Sequence, residues 1–84
     1  MSHRDTIRHY ILENYLFTED ASALADDVSF LESGIIDSTG MMEVIFFLEE
    51  NFSIRVEDEE MIPENLDSVN NLLRYIERKQ GQAA

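Results

Sequence analysis

Three stretches of the chain repeat their apolar residues at steps of three and four, which is the spacing of one face of an α-helix. These stretches are residues 3–16, 38–52 and 68–79. Their apolar residues are Ile7, Tyr10, Ile11, Leu12, Tyr15 and Leu16 in the first, Met41, Val44, Ile45, Leu48 and Phe52 in the second, and Val69, Leu72, Leu73 and Ile76 in the third. The pattern predicts three amphipathic helices whose apolar faces form one core.

Residues 17–37 lack this spacing and are predicted to form a long loop between the first two helices. Apolar residues within the loop would anchor it on the helices, and Gly34 provides a bend that a bulkier residue would resist. The anchoring residues are Phe30, Leu31, Ile35 and Ile36. Loops of this length are uncommon in small domains, and those that occur usually have a function.

A short fourth helix is predicted at 62–66, where Pro63 suits the first helical turn. The last residues, 80–84, are expected to fray. A chain of 84 residues is long enough for one domain, which we expect to span residues 1–84. The predicted fold class is therefore all-α, a four-helix bundle of three longer helices and one short helix.

Acidic residues outnumber basic ones by 18 to 6, which gives the chain a formal net charge of -12. Such a field repels nucleic-acid phosphates and anionic lipid head groups, and it attracts basic protein surfaces. No stretch reaches the roughly 18 apolar residues of a membrane span, and the N-terminus lacks the apolar segment of a signal peptide. We expect a cytoplasmic protein with basic protein partners, no nucleic acid and no membrane span.

Few residues of this chain are suited to catalysis or metal binding. Cysteine is absent, which excludes disulfides and thiolate chemistry. His3 and His9 lie six residues apart and fit one helical face poorly. The acidic run 57–60 lacks the central glycine and alternating ligands of a calcium-binding loop, and so small a domain has little dry interior in which to shift the pKa of a catalytic acid. No catalytic or metal site is predicted.

Ser38 lies where the anchored loop meets the second helix. A helix N-terminus binds phosphate groups well, and an exposed hydroxyl there could receive a phosphodiester without disturbing the core. The alternative is a plain helix cap made by Asp37 or Ser38. The pair Asp67-Ser68 precedes the last helix in the same way, and from spacing alone the cap is the favoured interpretation.

Met42 and Phe46 lie four residues apart beside the core stripe of the second helix, close to the acidic residues Glu43, Glu49 and Glu50. Apolar side chains within an acidic surface are typical of a docking patch. The alternative is a helix that is buried on a wide face.

The stretch 30–38, Phe-Leu-Glu-Ser-Gly-Ile-Ile-Asp-Ser, resembles the attachment signature of acyl and peptidyl carrier proteins. The resemblance continues through Glu43, 48–54, 56–59 and 63–76, and so covers nearly the whole chain. It implies the four-helix fold of acyl carrier proteins and a role without catalysis. Such a protein shuttles acyl or aminoacyl thioesters between enzymes of fatty-acid, polyketide, nonribosomal or related biosynthesis.

By this resemblance, Ser38 would carry 4′-phosphopantetheine, which a phosphopantetheinyl transferase donates from coenzyme A. Asp37 would help to present the serine and the divalent ion used in the transfer. The thiol of the arm, rather than a protein cysteine, would hold the cargo. Asp67-Ser68 lacks the preceding glycine and aliphatic residues and would remain a structural cap.

The resemblance also assigns a recognition face to Thr39, Met42, Glu43, Phe46 and Glu49. This face would meet basic surfaces on the transferase and on the enzymes that load and transfer acyl or aminoacyl groups. We expect a monomer, and a discrete carrier rather than part of a megasynthase.

Two residues depart from the family pattern. Most relatives have leucine after the serine and a polar or acidic residue next, whereas this chain has Thr39 and Gly40. Thr39 removes an apolar contact for partner enzymes, and Gly40 is expected to weaken the first helical turn by up to ~1 kcal/mol relative to alanine. Both departures bear on the choice of partner.

Cargo is expected to lie between the second helix and the short helix, near Ile54, Ile62 and Leu66. Phe46 and Phe47 are bulky and would fill part of that space, which favours short or aminoacyl cargo.

The alternative function is an unmodified acidic helical module for protein–protein interaction. It would use the face of Met42 and Phe46 and would not need Ser38.

Overall fold

The computed structural model describes residues 2–82, and these residues form five α-helices, two single 3-10 turns (Ala21–Ala23 and Asp58–Glu60) and no strand. The helices are α1 (His3–Ile11), α2 (Phe30–Ser33), α3 (Ser38–Phe52), α4 (Pro63–Leu66) and α5 (Val69–Gln82). The predicted all-α fold class is confirmed. Two helices, α4 and α5, begin one residue later than predicted, because Ile62 and Ser68 lie just before the first helical turn.

The first helix changes pitch before it ends. Ser2 caps α1, and its Oγ accepts a hydrogen bond of 3.1 Å from the backbone N–H of Asp5. After Ile11 the chain continues as a wider π-helical turn, Leu12–Leu16, and the helix ends at Phe17 in the left-handed conformation (φ 54°, ψ 43°). For a residue other than glycine this conformation costs about 1–2 kcal/mol. Isolated π-turns occur frequently at functional sites.

A single helical turn, α2, lies within the stretch that was predicted to be a loop. The Oγ of Ser29 accepts a hydrogen bond of 3.1 Å from the N–H of Glu32, and Gly34 ends the turn at a φ of 77°. The side chain of Phe30 is fully buried. Core packing and two local caps therefore stabilise a turn that is too short to show a helical repeat in the sequence.

Arg8 fastens the first half of the loop to α1. Its guanidinium donates hydrogen bonds to the carbonyl oxygens of Leu24 (2.8 Å) and Ala21 (2.5 Å), and it forms an ion pair of 2.5 Å with Asp26. Arg4 pairs with the same carboxylate. The loop is thus held along the first helix by side-chain contacts.

The core lies between the three long helices, with α2 closing one side. Its most deeply buried side chains are Ile7, Ile11, Phe30, Ile36, Val44, Leu48, Val69, Leu72, Tyr75 and Ile76. Most belong to the apolar stripes read from the sequence. Each contributes about 1.5–3 kcal/mol relative to an exposed side chain, so burial of these stripes brings the helices together.

The last helix extends through Gln82, whereas the sequence analysis expected the chain to fray from Gln80 onward. The side-chain amide of Gln80 donates to the carbonyl oxygen of Phe52 at 3.4 Å. One position earlier, the Nζ of Lys79 donates to Glu60 Oε1 at 2.8 Å. These contacts hold the final turns against the bundle, so the fraying prediction is wrong up to Gln82. The last two residues of the chain lie outside the described part.

Candidate functional site

Asp37 caps α3 and leaves Ser38 free. The Oδ1 of Asp37 accepts a hydrogen bond of 2.7 Å from the N–H of Gly40, and its carbonyl oxygen accepts one of 2.9 Å from the N–H of Met41. Ser38 is the first residue of the helix and is exposed, and its hydroxyl has no hydrogen-bond partner among residues 2–82. The aspartate therefore does the capping, and the interpretation of Ser38 as a plain cap is wrong.

The second Asp-Ser pair is arranged differently. Ser68 is only 5% exposed, and its Oγ accepts a hydrogen bond of 3.1 Å from the N–H of Asn71. The carboxylate of Asp67 accepts hydrogen bonds from the N–H of Leu31 (2.9 Å) and from the hydroxyl of Ser29. Both side chains are occupied within the fold, so this pair has the structural role that its sequence context predicts.

Gly40 allows the end of the first helical segment to pack closely on the start of α3. A Cβ at this position would lie 3.2 Å from Tyr15 Cε1 and 3.0 Å from Ile36 Cγ2, closer than ordinary van der Waals contacts. The Tyr15 hydroxyl lies 3.1 Å from the Gly40 carbonyl oxygen and 3.1 Å from Glu43 Oε2. Sequence reasoning treated Gly40 only as a weak helix former and missed this contact, although a glycine in a first helical turn was a signal for it.

The hydroxyl of Tyr15 is a stable hydrogen-bond donor. Burial raises the pKa of Tyr15 well above its usual value, and the neighbouring Tyr10 and Glu43 raise it further. The ring of Tyr10 lies edge-on to Tyr15 and is stacked on Phe47, with centroids 5.9 and 4.0 Å apart. An aromatic cluster therefore connects the first helical segment to the helix that begins at Ser38.

Four of the five predicted recognition residues are exposed on α3, namely Thr39, Met42, Glu43 and Phe46. Met42 is 45% exposed and Phe46 is 60% exposed, so the alternative of a widely buried helix is wrong at these two positions. Glu49 differs from the other four. It is half-buried, and its Oε2 accepts a hydrogen bond of 3.1 Å from the N–H of Val56, which turns it toward the segment that follows α3.

An apolar cavity of about 300 Å³ lies beside Ser38, between α3 and α4. Besides Ser38 and Asp67, its lining includes Met41, Met42, Ile45, Met61, Ile62 and Leu66. Two of the three residues expected near a cargo site, Ile62 and Leu66, are among them. Ile54 is buried but is not part of the lining.

Phe46 and Phe47 do not line this cavity. Phe46 is exposed, and Phe47 stacks on Tyr10 on the side of the first helix. The expectation that these rings fill the cargo space is therefore wrong, and it gives no reason to favour short cargo.

Within residues 2–82, no group of three histidine, aspartate or glutamate side chains is placed to hold a metal ion. No helix in this part of the chain is long and apolar enough to cross a bilayer.

Comparison with known proteins gives consistent similarities, although no family model matches the chain. The acyl carrier protein of Chlamydia caviae is 32% identical over 81 residues, which cover 96% of this chain and all of that protein. The acyl carrier protein of Akkermansia muciniphila is 39% identical over 62 residues, 74% of this chain and 75% of that protein. The D-alanyl carrier protein of Streptococcus equi subsp. zooepidemicus is 34% identical over 80 residues, 95% of this chain and 98% of that protein.

Among solved structures, a similar fold occurs in a holo acyl carrier protein from Nitrosomonas europaea, determined by solution NMR. The two structures agree with a TM-score of 0.76, and the match covers 96% of this chain and 99% of the other at 24% identity. Fold and sequence agree on the class: a small helical carrier protein, which has no catalytic activity of its own. The chain belongs to the acyl carrier protein family.

Proposed function

We propose that Ser38 of this chain carries 4′-phosphopantetheine and that the protein shuttles acyl or aminoacyl groups between enzymes of fatty-acid, polyketide, nonribosomal or related biosynthesis. When bound, the group supplies a terminal thiol that holds the cargo as a thioester. The observation that carries the proposal is the exposed hydroxyl of Ser38, which has no hydrogen-bond partner in the described part of the chain because Asp37 caps α3 itself.

The residues around Ser38 fit a phosphodiester. The site lies at the N-terminus of a 15-residue helix, where the helix dipole and the backbone N–H groups favour negative charge. The apolar cavity beside Ser38 can take part of the arm or of its cargo. In the transfer, Ser38 Oγ forms the new P–O bond and the pyrophosphate bond of coenzyme A breaks. Adenosine 3′,5′-bisphosphate leaves, and the transferase accepts the serine proton.

Asp37 has a second role in this proposal. Its Oδ1 is engaged by the N–H of Gly40, but the carboxylate is exposed at the edge of the site. It can therefore contribute one ligand to the divalent ion that the transferase uses, while it holds the first turn of α3 in place. Both roles position Ser38 and neither requires Asp37 to react.

The recognition face in this proposal consists of Thr39, Met42, Glu43 and Phe46. Their exposure supports the assignment, since large apolar side chains within an acidic surface fit a partner with apolar contacts and a basic rim. A net charge of -12 would speed the encounter with such a partner. A carrier must also leave its partner, which a small, charge-steered interface permits.

The type of cargo stays broad. The relatives include both acyl carrier proteins and D-alanyl carrier proteins. The apolar cavity of about 300 Å³ suits an acyl chain, whereas the charged ammonium of an aminoacyl group would stay in solvent. We also propose a cytoplasmic location, because coenzyme A, the donor of the arm, is an intracellular metabolite. A monomer is proposed because the strongly acidic surfaces of two copies repel each other.

The test is the intact mass of the protein after incubation with coenzyme A, Mg²⁺ and a broad-specificity phosphopantetheinyl transferase. The unmodified chain and Ser68→Ala should each gain one phosphopantetheine, and Ser38→Ala should gain none. Gain by Ser38→Ala would move the attachment site. No gain by any of the three proteins, all shown to be folded by circular dichroism, would favour the unmodified interaction module.

A further inference from the structure

Phe17 combines an unusual backbone with an unusual exposure. It ends the first helical segment at φ 54° and ψ 43°, and its N–H donates to the carbonyl oxygen of Leu12. Glycine or asparagine is the usual residue at such a left-handed helix end, because a Cβ is strained there. The ring of Phe17 is 82% exposed, so burial does not offset that strain. Folding alone gives no reason for a phenylalanine at this position.

The position of Phe17 places it at the same end of the bundle as Ser38. Tyr15, two residues earlier, has its hydroxyl 3.1 Å from the carbonyl oxygen of Gly40 and from Glu43 Oε2. The first helical segment therefore runs antiparallel to α3, with His3 against Phe52 at one end and Tyr15 against Gly40 at the other, and Phe17 ends this segment at the Ser38 end of the bundle. The cavity beside Ser38 lies on the other side of α3, toward α4.

The chain on either side of Phe17 is acidic. Glu13, Glu19 and Asp20 are all exposed, and residues 13–20 contain no lysine or arginine. An exposed aromatic ring among carboxylates matches a protein surface with an apolar pocket bordered by basic side chains. The same charge argues against a second copy of this chain as the occupant, since two acidic surfaces repel each other.

We propose that Phe17 is a docking residue for the enzyme that esterifies Ser38, and that its ring enters an apolar pocket bordered by lysine or arginine side chains on that enzyme. This inference rests on the proposed function. The transferase is the partner because the Ser38 hydroxyl itself must enter its active site. An interface of ordinary size, about 800 Å² on each partner, then covers this end of the bundle. Enzymes that act later receive the cargo at the end of the arm, so their active sites do not have to reach the Ser38 hydroxyl.

The chain offers a matched control in Ser53, which ends α3 in nearly the same left-handed conformation (φ 54°). Because α3 has 15 residues, Ser53 lies about 22 Å from Ser38 along the helix axis. Glycine relieves backbone strain at both positions, but only Phe17→Gly removes a ring at the Ser38 end of the bundle.

The experiment measures kcat and KM of a broad-specificity phosphopantetheinyl transferase for each variant, together with its thermal stability and final mass. Phe17→Gly and Phe17→Asn should raise KM about tenfold, the loss expected of a central interface aromatic. Their kcat, final mass and melting temperature should not fall. Ser53→Gly should match the parent chain, and Phe17→Leu should keep KM within about threefold of it because an apolar side chain remains.

The docking inference is overturned if Phe17→Gly has the KM of the parent chain, or if Ser53→Gly raises KM equally. In both cases complete modification of the parent chain would leave the proposed function intact. Failure of the parent chain itself to be modified would instead overturn the proposed function.

Discussion

The dipeptide Asp-Ser occurs twice in this chain, each time at the start of a long helix. At α3 the aspartate, Asp37, caps the helix, and Ser38 is the exposed first residue. At α5 the serine, Ser68, caps the helix and is buried. Asp67 is engaged by the backbone N–H of Leu31 and by a serine hydroxyl of the loop.

The two helices begin at different positions relative to the dipeptide: α3 begins at the serine, whereas α5 begins one residue after it. A serine at the capping position uses its oxygen within the helix, whereas a serine one residue later points its hydroxyl to solvent. The second pair is also covered by the loop around α2, which supplies the donors for Asp67. An identical dipeptide is thus available for modification at α3 and part of the structure at α5.

The largest expected effect comes from replacing each serine separately, because one replacement should abolish the modification and the other should lower the stability. Ser38→Ala should abolish attachment of phosphopantetheine and change the free energy of unfolding by less than about 0.5 kcal/mol, because the side chain is exposed. Ser68→Ala should still be modified but lose about 1–2 kcal/mol, the usual cost of a lost N-cap. Mass spectrometry and urea denaturation measure the two quantities. Equal stability losses would contradict the contrast drawn here.

Gly40→Ala tests the packing at the start of α3. Alanine is the better helix former, but its Cβ would meet Tyr15 and Ile36, so we expect a net loss of about 1–3 kcal/mol. Gly81→Ala is the control: nothing lies within 4 Å of its added Cβ, and the helix should gain up to ~1 kcal/mol. Urea denaturation of both variants decides the matter, and a gain at both sites would refute the role given to Gly40.

Substitutions at Asp37 can separate its role as a helix cap from the role of its negative charge. Asparagine caps helices as well as aspartate does, so Asp37→Asn should keep the free energy of unfolding within about 0.5 kcal/mol, and Asp37→Ala should lose about 1 kcal/mol. If the carboxylate coordinates the divalent ion that the transferase uses, both variants should be modified more slowly. Modification of Asp37→Asn at the parent rate would confine Asp37 to capping.

The smallest expected effect is a loss of stability in alkali. Burial raises the pKa of Tyr15, beside α3, and that of Tyr75, on α5, and the carboxylates of Glu43 and Glu60 raise them further. The folded state therefore holds both protons more tightly than the unfolded chain, whose tyrosines titrate near pH 10. The stabilisation is complete below about pH 10 and is lost as the pH rises above it.

The double variant Tyr15→Phe/Tyr75→Phe removes both titrating groups. Its free energy of unfolding should fall less between pH 8 and pH 11 than that of the parent chain, as measured by urea denaturation at each pH. An identical fall in both proteins would assign the alkaline loss to other groups.

Local pattern predicted most of the helices because each long helix repeats its apolar residues at helical spacing over three or more turns. Leu48 and Leu72, for example, were placed in the core from spacing alone and are fully buried. The single turn α2 was missed, because four residues cannot show a repeat. The extension of α5 beyond Lys79 was missed because the partner of Gln80, Phe52, is 28 residues away in the sequence.

For the candidate site, the sequence indicated which residues matter but not the contacts that those residues make. Ser38 was chosen by its place before a helix and by family resemblance, and the structure leaves its hydroxyl exposed. Glu49 was predicted to face partners, but its carboxylate accepts a hydrogen bond from Val56. The exposure of Phe17 was not foreseen, because the loop that begins at this residue has no apolar repeat from which burial or exposure could be read.

By itself, the sequence determined the class of fold, the core stripes of the three long helices and the acidic character of the surface, because these follow from local spacing and composition. Only the tertiary structure decided which Asp-Ser pair keeps a free hydroxyl, why Gly40 is needed beside Tyr15, and where an apolar cavity lies. Each of these depends on contacts between residues far apart in the chain, and the geometry of such contacts is set when the helices pack.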